Sequence, residues 1–69
     1  MSDTEKKELV DKVIEEANEL SEVWTNTTTG YIINNQRDHV EELARFDINL
    51  AHIAALELQE FCESVSELN

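Results

Sequence analysis

The chain has 69 residues, with 16 acidic and 5 basic side chains and a formal net charge of −11. Such a surplus of carboxylates repels phosphate groups, so the composition argues against direct binding to nucleic acid or to an anionic membrane. A single cysteine excludes an intrachain disulfide, and no stretch reaches the roughly eighteen apolar residues that a membrane span requires.

The first ten residues, MSDTEKKELV, carry charges with no apolar run behind them, so no secretory signal is predicted and we expect a soluble cytoplasmic protein. A single domain of this size is small for burying a core of its own. Because a disulfide is excluded, self-association becomes the favoured source of additional stability.

The first predicted helix covers about residues 3–25. Ser2 and Glu5 stand at the spacing of a capping box, which marks its start. Its apolar residues recur at helical spacing and occupy a little under half of the circumference, with acidic residues on the other side. The apolar set is Leu9, Val10, Val13, Ile14, Ala17, Leu20, Val23 and Trp24.

The segment TNTTTG, residues 25–30, predicts a turn over about 26–31. Trp24 and Tyr31 flank this turn and are expected to cover the open end of the core, the alternative being a shallow patch that binds a partner or a ligand. We expect a single long helix over about 32–68, since no strong interruption follows the turn. The alternative is a kink or split near residues 46–49, because Asp47 and Asn49 could cap a restarted helix.

The second predicted helix is apolar around more of its circumference, and over more of its length, than the first helix can cover. The predicted fold is therefore all-α: an antiparallel hairpin of two long helices that dimerises into a four-helix bundle. A heterologous partner could cover the same surface. The predicted self-association interface consists of Phe46, Leu50, Ile53, Ala54, Leu58, Phe61 and Val65.

No pattern in the sequence predicts a catalytic, cofactor-binding or metal-binding residue. A carboxylate-bridged metal site has Glu three residues before His, but Gln36 precedes His39 and Asn49 precedes His52. His39 is therefore interpreted as a residue at the edge of the bundle and His52 as solvated.

Two carboxylates and one thiol remain as candidates for chemistry. Asp47 and Glu57 both project into the apolar arc of the second helix, but about 15 Å apart along its axis, too far for an acid–base pair. Partial exposure, or a role in setting the interface register, explains them instead. Cys62 has no neighbouring base in sequence, which predicts a buried, unreactive thiol.

Glu60, Glu63 and Glu67 form one acidic stripe near the end of the second helix. Negative charge there opposes the helix dipole, so helix stability does not explain the stripe. It could serve solubility or a saline habitat, dock a basic protein, or imitate the phosphates of DNA.

The sequence thus predicts a non-enzymatic protein-interaction module, a small acidic adaptor or regulator that forms a homodimer and could engage a basic protein surface. The alternative function is a nucleic-acid-mimicking inhibitor of a DNA- or RNA-binding protein. A metal- or ligand-binding helical bundle is the third.

Overall fold

Three α-helices form the structure, a computed structural model that describes residues 1–68: α1 (Asp3–Val23), α2 (Thr28–Phe46) and α3 (Ile48–Glu67). Each helix packs against both of the others, in a body of 34 × 20 × 15 Å. The predicted all-α class is confirmed, whereas the two-helix hairpin is not what the structure shows.

The capping box predicted at the start of α1 is present. The Ser2 hydroxyl oxygen accepts a hydrogen bond from the Glu5 backbone N–H at 3.2 Å, and the Glu5 carboxylate accepts one from the Ser2 backbone N–H at 3.3 Å. These two bonds satisfy backbone donors that a helix start leaves free. They fix where α1 begins.

The turn between α1 and α2 depends on the conformations of Asn26 and Thr27 and on the absence of a side chain at Gly30. Asn26 adopts the left-handed region with φ 61°, which Asn tolerates better than most residues. The Thr27 hydroxyl oxygen accepts a hydrogen bond from the Gly30 backbone N–H at 3.1 Å and so caps α2. A Cβ on Gly30 would lie 2.3 Å from the Trp24 carbonyl oxygen, so the close approach of the two helix ends requires glycine.

Asp47 divides the expected long helix into α2 and α3. Its extended backbone, φ −157° and ψ 108°, interrupts the helical path, while its N–H still donates to the Leu43 carbonyl at 2.8 Å. Its carboxylate accepts a hydrogen bond from the Asn49 backbone N–H at 2.9 Å and caps α3. The chain therefore reverses at one residue, and the single helix expected over about 32–68 is corrected to two.

The core lies between the three helices and is built mainly from small and medium apolar side chains. Since α3 folds back, α1 and α2 of the same chain cover most of its apolar arc. The chain itself thus supplies much of the cover that was expected from a second chain. The buried apolar residues are Val10, Val13, Ala17, Ile33, Val40, Ala51, Ala55, Leu58, Cys62 and Val65.

Candidate functional site

A groove of about 840 Å³ runs between α2 and α3 on the surface of the bundle. Helix α1 packs against both of these helices, yet part of the facing flanks of α2 and α3 stays open. This α2–α3 groove is lined by Asn35, Gln36, His39, Val40, Leu43, Leu50, Ile53, Ala54, Glu57 and Glu60.

Large apolar side chains are exposed along this groove and at its corner, which is the end where Asp47 joins α2 to α3. Leu50 is 51 % and Ile53 55 % exposed in the groove wall, and Phe46, at the end of α2, is 81 % exposed. On α3, Ile53 lies about 160° around the helix from the buried Ala51, so the packing that buries Ala51 cannot also bury Ile53. The bundle leaves these three residues without cover.

The residues predicted for self-association divide into three groups. Phe46, Leu50 and Ile53 are exposed, whereas Ala54 and Phe61 are half-buried against the core. The remaining two are inaccessible: Leu58 is 1 % and Val65 3 % exposed, because both pack inside their own chain. A second chain could reach the first group without disturbing the core, but not the last two residues.

The sequence did not predict the α2 side of the groove, because every residue of the predicted interface lies between positions 46 and 65. Gln36, His39 and Leu43 recur at spacings of three and four residues and share one flank of α2. That spacing was the available signal. The spacing indicates a groove wall only if α2 and α3 are separate helices that pack side by side, since a single helix has no groove.

Polarity changes along the groove. Near the corner, Leu43, Leu50 and Ile53 provide apolar walls, while one to two turns further along α3 stand the carboxylates of Glu57 and Glu60. Within residues 1–68, no hydrogen bond or ion pair joins these carboxylates to another side chain. Glu57, which the sequence placed in the apolar arc, is therefore an exposed residue of the groove's acidic end.

The predicted acidic stripe is split between two surfaces. Glu60 lines the α2–α3 groove, whereas Glu63 and Glu67 line a separate depression of about 540 Å³ between α1 and α3. Glu16 and Glu19 of α1 stand in the same depression. The three glutamates of the stripe thus do not act as a single face.

Cys62 lies at the base of that second depression and is buried, as the sequence predicted. Burial, and after it the Glu16 carboxylate, raises the pKa of the Cys62 thiol. A raised pKa lowers the fraction of reactive thiolate at neutral pH, which is the opposite of what a nucleophilic cysteine needs.

The two histidines lie in different environments. His39 is exposed and lines the α2–α3 groove. His52, expected to be solvated, is half-buried, and its Nε2 has no hydrogen-bond partner within the described residues. Among residues 1–68 there is no group of three or more His, Cys, Asp or Glu side chains placed to hold a metal ion.

None of the helices in the described part of the chain combines the length and apolar character needed to cross a bilayer.

Comparison with protein-family models, with curated proteins and with solved structures finds no match to this chain.

Proposed function

We propose that this chain is a non-enzymatic protein-interaction module, a small acidic adaptor or regulator that binds another polypeptide in the α2–α3 groove. The observation that carries the proposal is the exposure of Leu50 and Ile53 in the wall of the groove, together with the exposure of Phe46 at the end of α2, where the chain reverses. Single exposed apolar residues are ordinary on a protein surface, but a contiguous exposed patch beside a concave surface is typical of a binding site.

The size of the patch supports a protein as the occupant. At about 190 Å² for a fully exposed side chain of this size, the three residues expose about 350 Å². That value lies within the range of roughly 300–600 Å² for the largest patch on a monomer, which is often functional. Complete burial would yield about 9 kcal/mol at 25 cal/mol/Å².

An interface built on these residues alone would be weak. The loss of translational and rotational freedom on association costs about 4–15 kcal/mol, comparable with the whole apolar gain. Additional contacts along the polar part of the groove are therefore needed for stable binding. A standard interface buries about 800 Å² per partner, which would include that polar part as well.

Two kinds of occupant follow from the sequence: a second copy of the chain, giving a homodimer, and a protein with a basic surface. Both would cover Leu50 and Ile53, which belong to the interface predicted from the sequence and are exposed in the groove wall. A dimer of this kind joins two folded three-helix bundles, since Leu58 and Val65 are already enclosed. It would not be the four-helix bundle expected from two hairpins.

Site-specific photo-crosslinking tests the function. A benzophenone side chain replaces Ile53 in one variant and Leu56 in a matched control, and each chain is irradiated in cells of the organism that encodes it. Leu56 is also on α3 and 40 % exposed, but it does not line the groove.

We expect protein adducts from position 53 and few or none from position 56. An adduct of twice the 7.9 kDa chain mass would identify a second copy, and any other mass a different protein. Equal yields at the two positions, or no adducts at position 53, would refute the proposed function.

A further inference from the structure

We propose that the occupant of the α2–α3 groove is an amphipathic helix of a partner protein, apolar at one end and rich in Lys or Arg at the other. This inference rests on the proposed function and assigns the chemistry of the partner. It follows from how charge and apolar surface are arranged along the groove.

The groove is polarised along its length. Its corner end is apolar on both walls, with Leu43 on α2 and with Leu50 and Ile53 on α3. Its other end carries Glu57 and Glu60 on α3 opposite the neutral amides of α2, Asn35 and Gln36. An occupant that matches both ends must itself change from apolar to basic along its axis.

The chain supplies no positive charge to the acidic end. No lysine or arginine lines the groove within residues 1–68. Arg37 of α2 is engaged elsewhere, donating hydrogen bonds to Asn18 and Asp38 and lying 3.6 Å from Glu41. The carboxylates of the groove are thus available to an external cation, and the net charge of −11 attracts a basic partner from a distance.

A second copy of the chain fits this groove poorly. If two grooves met in antiparallel orientation, Glu57 and Glu60 of each copy would face the apolar corner of the other. If they met in parallel, carboxylates would face carboxylates. Neither arrangement brings a lysine or arginine of the groove to the acidic end, and each copy adds a net charge of −11.

The length of the groove suits a short helix. Leu50 and Glu60 are ten residues apart on α3, which corresponds to about 15 Å at 1.5 Å per residue. About three turns of a partner helix have that length. A helix in a groove presents apolar anchors at spacings of three and four residues, so two or three anchors would reach the corner end.

The test uses a synthetic helical peptide as the probe. Its leucines stand at positions i, i+4 and i+7 and its lysines at i+8 and i+11, which places both groups on one helical face. One control peptide has the same composition with the leucines dispersed around the helix, and another has glutamate in place of both lysines. Binding to the full chain is measured by fluorescence anisotropy at about 50 and 300 mM salt, with amide chemical shifts locating the site.

We expect the designed peptide to bind at least tenfold more tightly than either control, and more weakly at the higher salt. Its largest chemical-shift changes should fall on Leu43, Leu50 and Ile53. The variants Leu50→Asp and Ile53→Asp should each lose at least tenfold in affinity, while Leu56→Asp keeps it. All three positions are exposed enough for the variants to fold, which circular dichroism verifies.

The charge requirement is tested by two matched double variants. Glu57→Gln with Glu60→Gln should weaken binding about fivefold at low salt and reduce the salt dependence, since two exposed ion pairs are lost. Glu63→Gln with Glu67→Gln removes the same charge from the other depression and should leave the affinity within about twofold of the parent.

Equal binding of the dispersed peptide, equal binding of the glutamate peptide, or equal effects of the two double variants would overturn the inference. A sedimentation mass of two chains would also overturn it, if the Ile53→Asp variant sedimented with the mass of one chain. In that last case crosslinking at position 53 would still succeed, so the protein-binding function would stand and the basic helix alone would be rejected. Failure of crosslinking at position 53 would remove both.

Discussion

Replacing Asp47 with alanine tests the residue that separates α2 from α3. The substitution leaves the two backbone hydrogen bonds of residue 47, to Leu43 and from Ala51, and removes the 2.9 Å bond that the carboxylate accepts from Asn49. Loss of a helix N-cap costs about 0.5–2 kcal/mol and typically about 1. In a domain of 60–100 residues, 1 kcal/mol lowers Tm by about 4–8 °C.

Asp47→Asn is the matched control, because asparagine caps helices about as well as aspartate but carries no charge. Thermal and urea unfolding followed by circular dichroism should show Asp47→Ala less stable than the parent by about 1 kcal/mol and Asp47→Asn within about 0.5 kcal/mol of it. Equal stability of the alanine and asparagine variants would refute the capping argument. Greater helicity together with a doubled sedimentation mass in Asp47→Ala would mean that the variant forms a dimer in which α2 and α3 join into one long helix.

Three further predictions concern the core and the turn. Gly30→Ala should destabilise the fold by about 1–3 kcal/mol in urea unfolding, because the new methyl group meets the backbone carbonyl of Trp24; unchanged stability would contradict the close approach. Leu58→Ala should cost about 2–5 kcal/mol because it empties a buried position, while Leu56→Ala on the exposed side of the same helix costs about 1 kcal/mol or less; similar losses would show that α3 packs differently. Burial raises the pKa of the Cys62 thiol, so the folded state holds its proton more tightly than the unfolded chain. The contribution of this thiol to stability should be constant below pH about 8.5 and fall above it, so the loss of stability above that pH should be smaller in Cys62→Ala than in the parent. A thiol reagent at neutral pH should modify the native chain far more slowly than the urea-unfolded chain, and rapid native modification would contradict this.

The part of the fold that could be predicted from sequence is the part set by local chemistry. The capping box of Ser2 and Glu5 depends on residues three positions apart, and the predicted contacts are those observed. The break at Asp47 has a weaker sequence signal, because only the capping residues Asp47 and Asn49 indicate it, in a helical pattern with no proline or glycine. Extended backbone at one residue is favourable only when the returning helix gains packing elsewhere, which is a tertiary effect.

The break at Asp47 determines which residues of α3 are available for binding. Around an uninterrupted helix, Leu58 and Ile53 belong to the same broad apolar arc, and periodicity gives no reason to separate them. Once the chain reverses at Asp47, α1 and α2 cover Leu58 and leave Ile53 at the groove. The width of the apolar arc was therefore a correct indication that surplus apolar surface exists, but its location depends on the packing of three helices.

The surface on which each glutamate of the acidic stripe lies also depends on how the three helices pack. Glu60, Glu63 and Glu67 share one side of α3 by helical spacing, so the sequence predicts a single acidic stripe, with docking of a basic protein as one of its possible roles. Grooves on the two sides of α3 divide them, with Glu60 facing α2 and the other two facing α1. A variant that neutralises all three would remove charge from both surfaces and could not assign an effect to either. Pairing Glu60 with Glu57 instead isolates the α2–α3 groove, because both carboxylates line its acidic end.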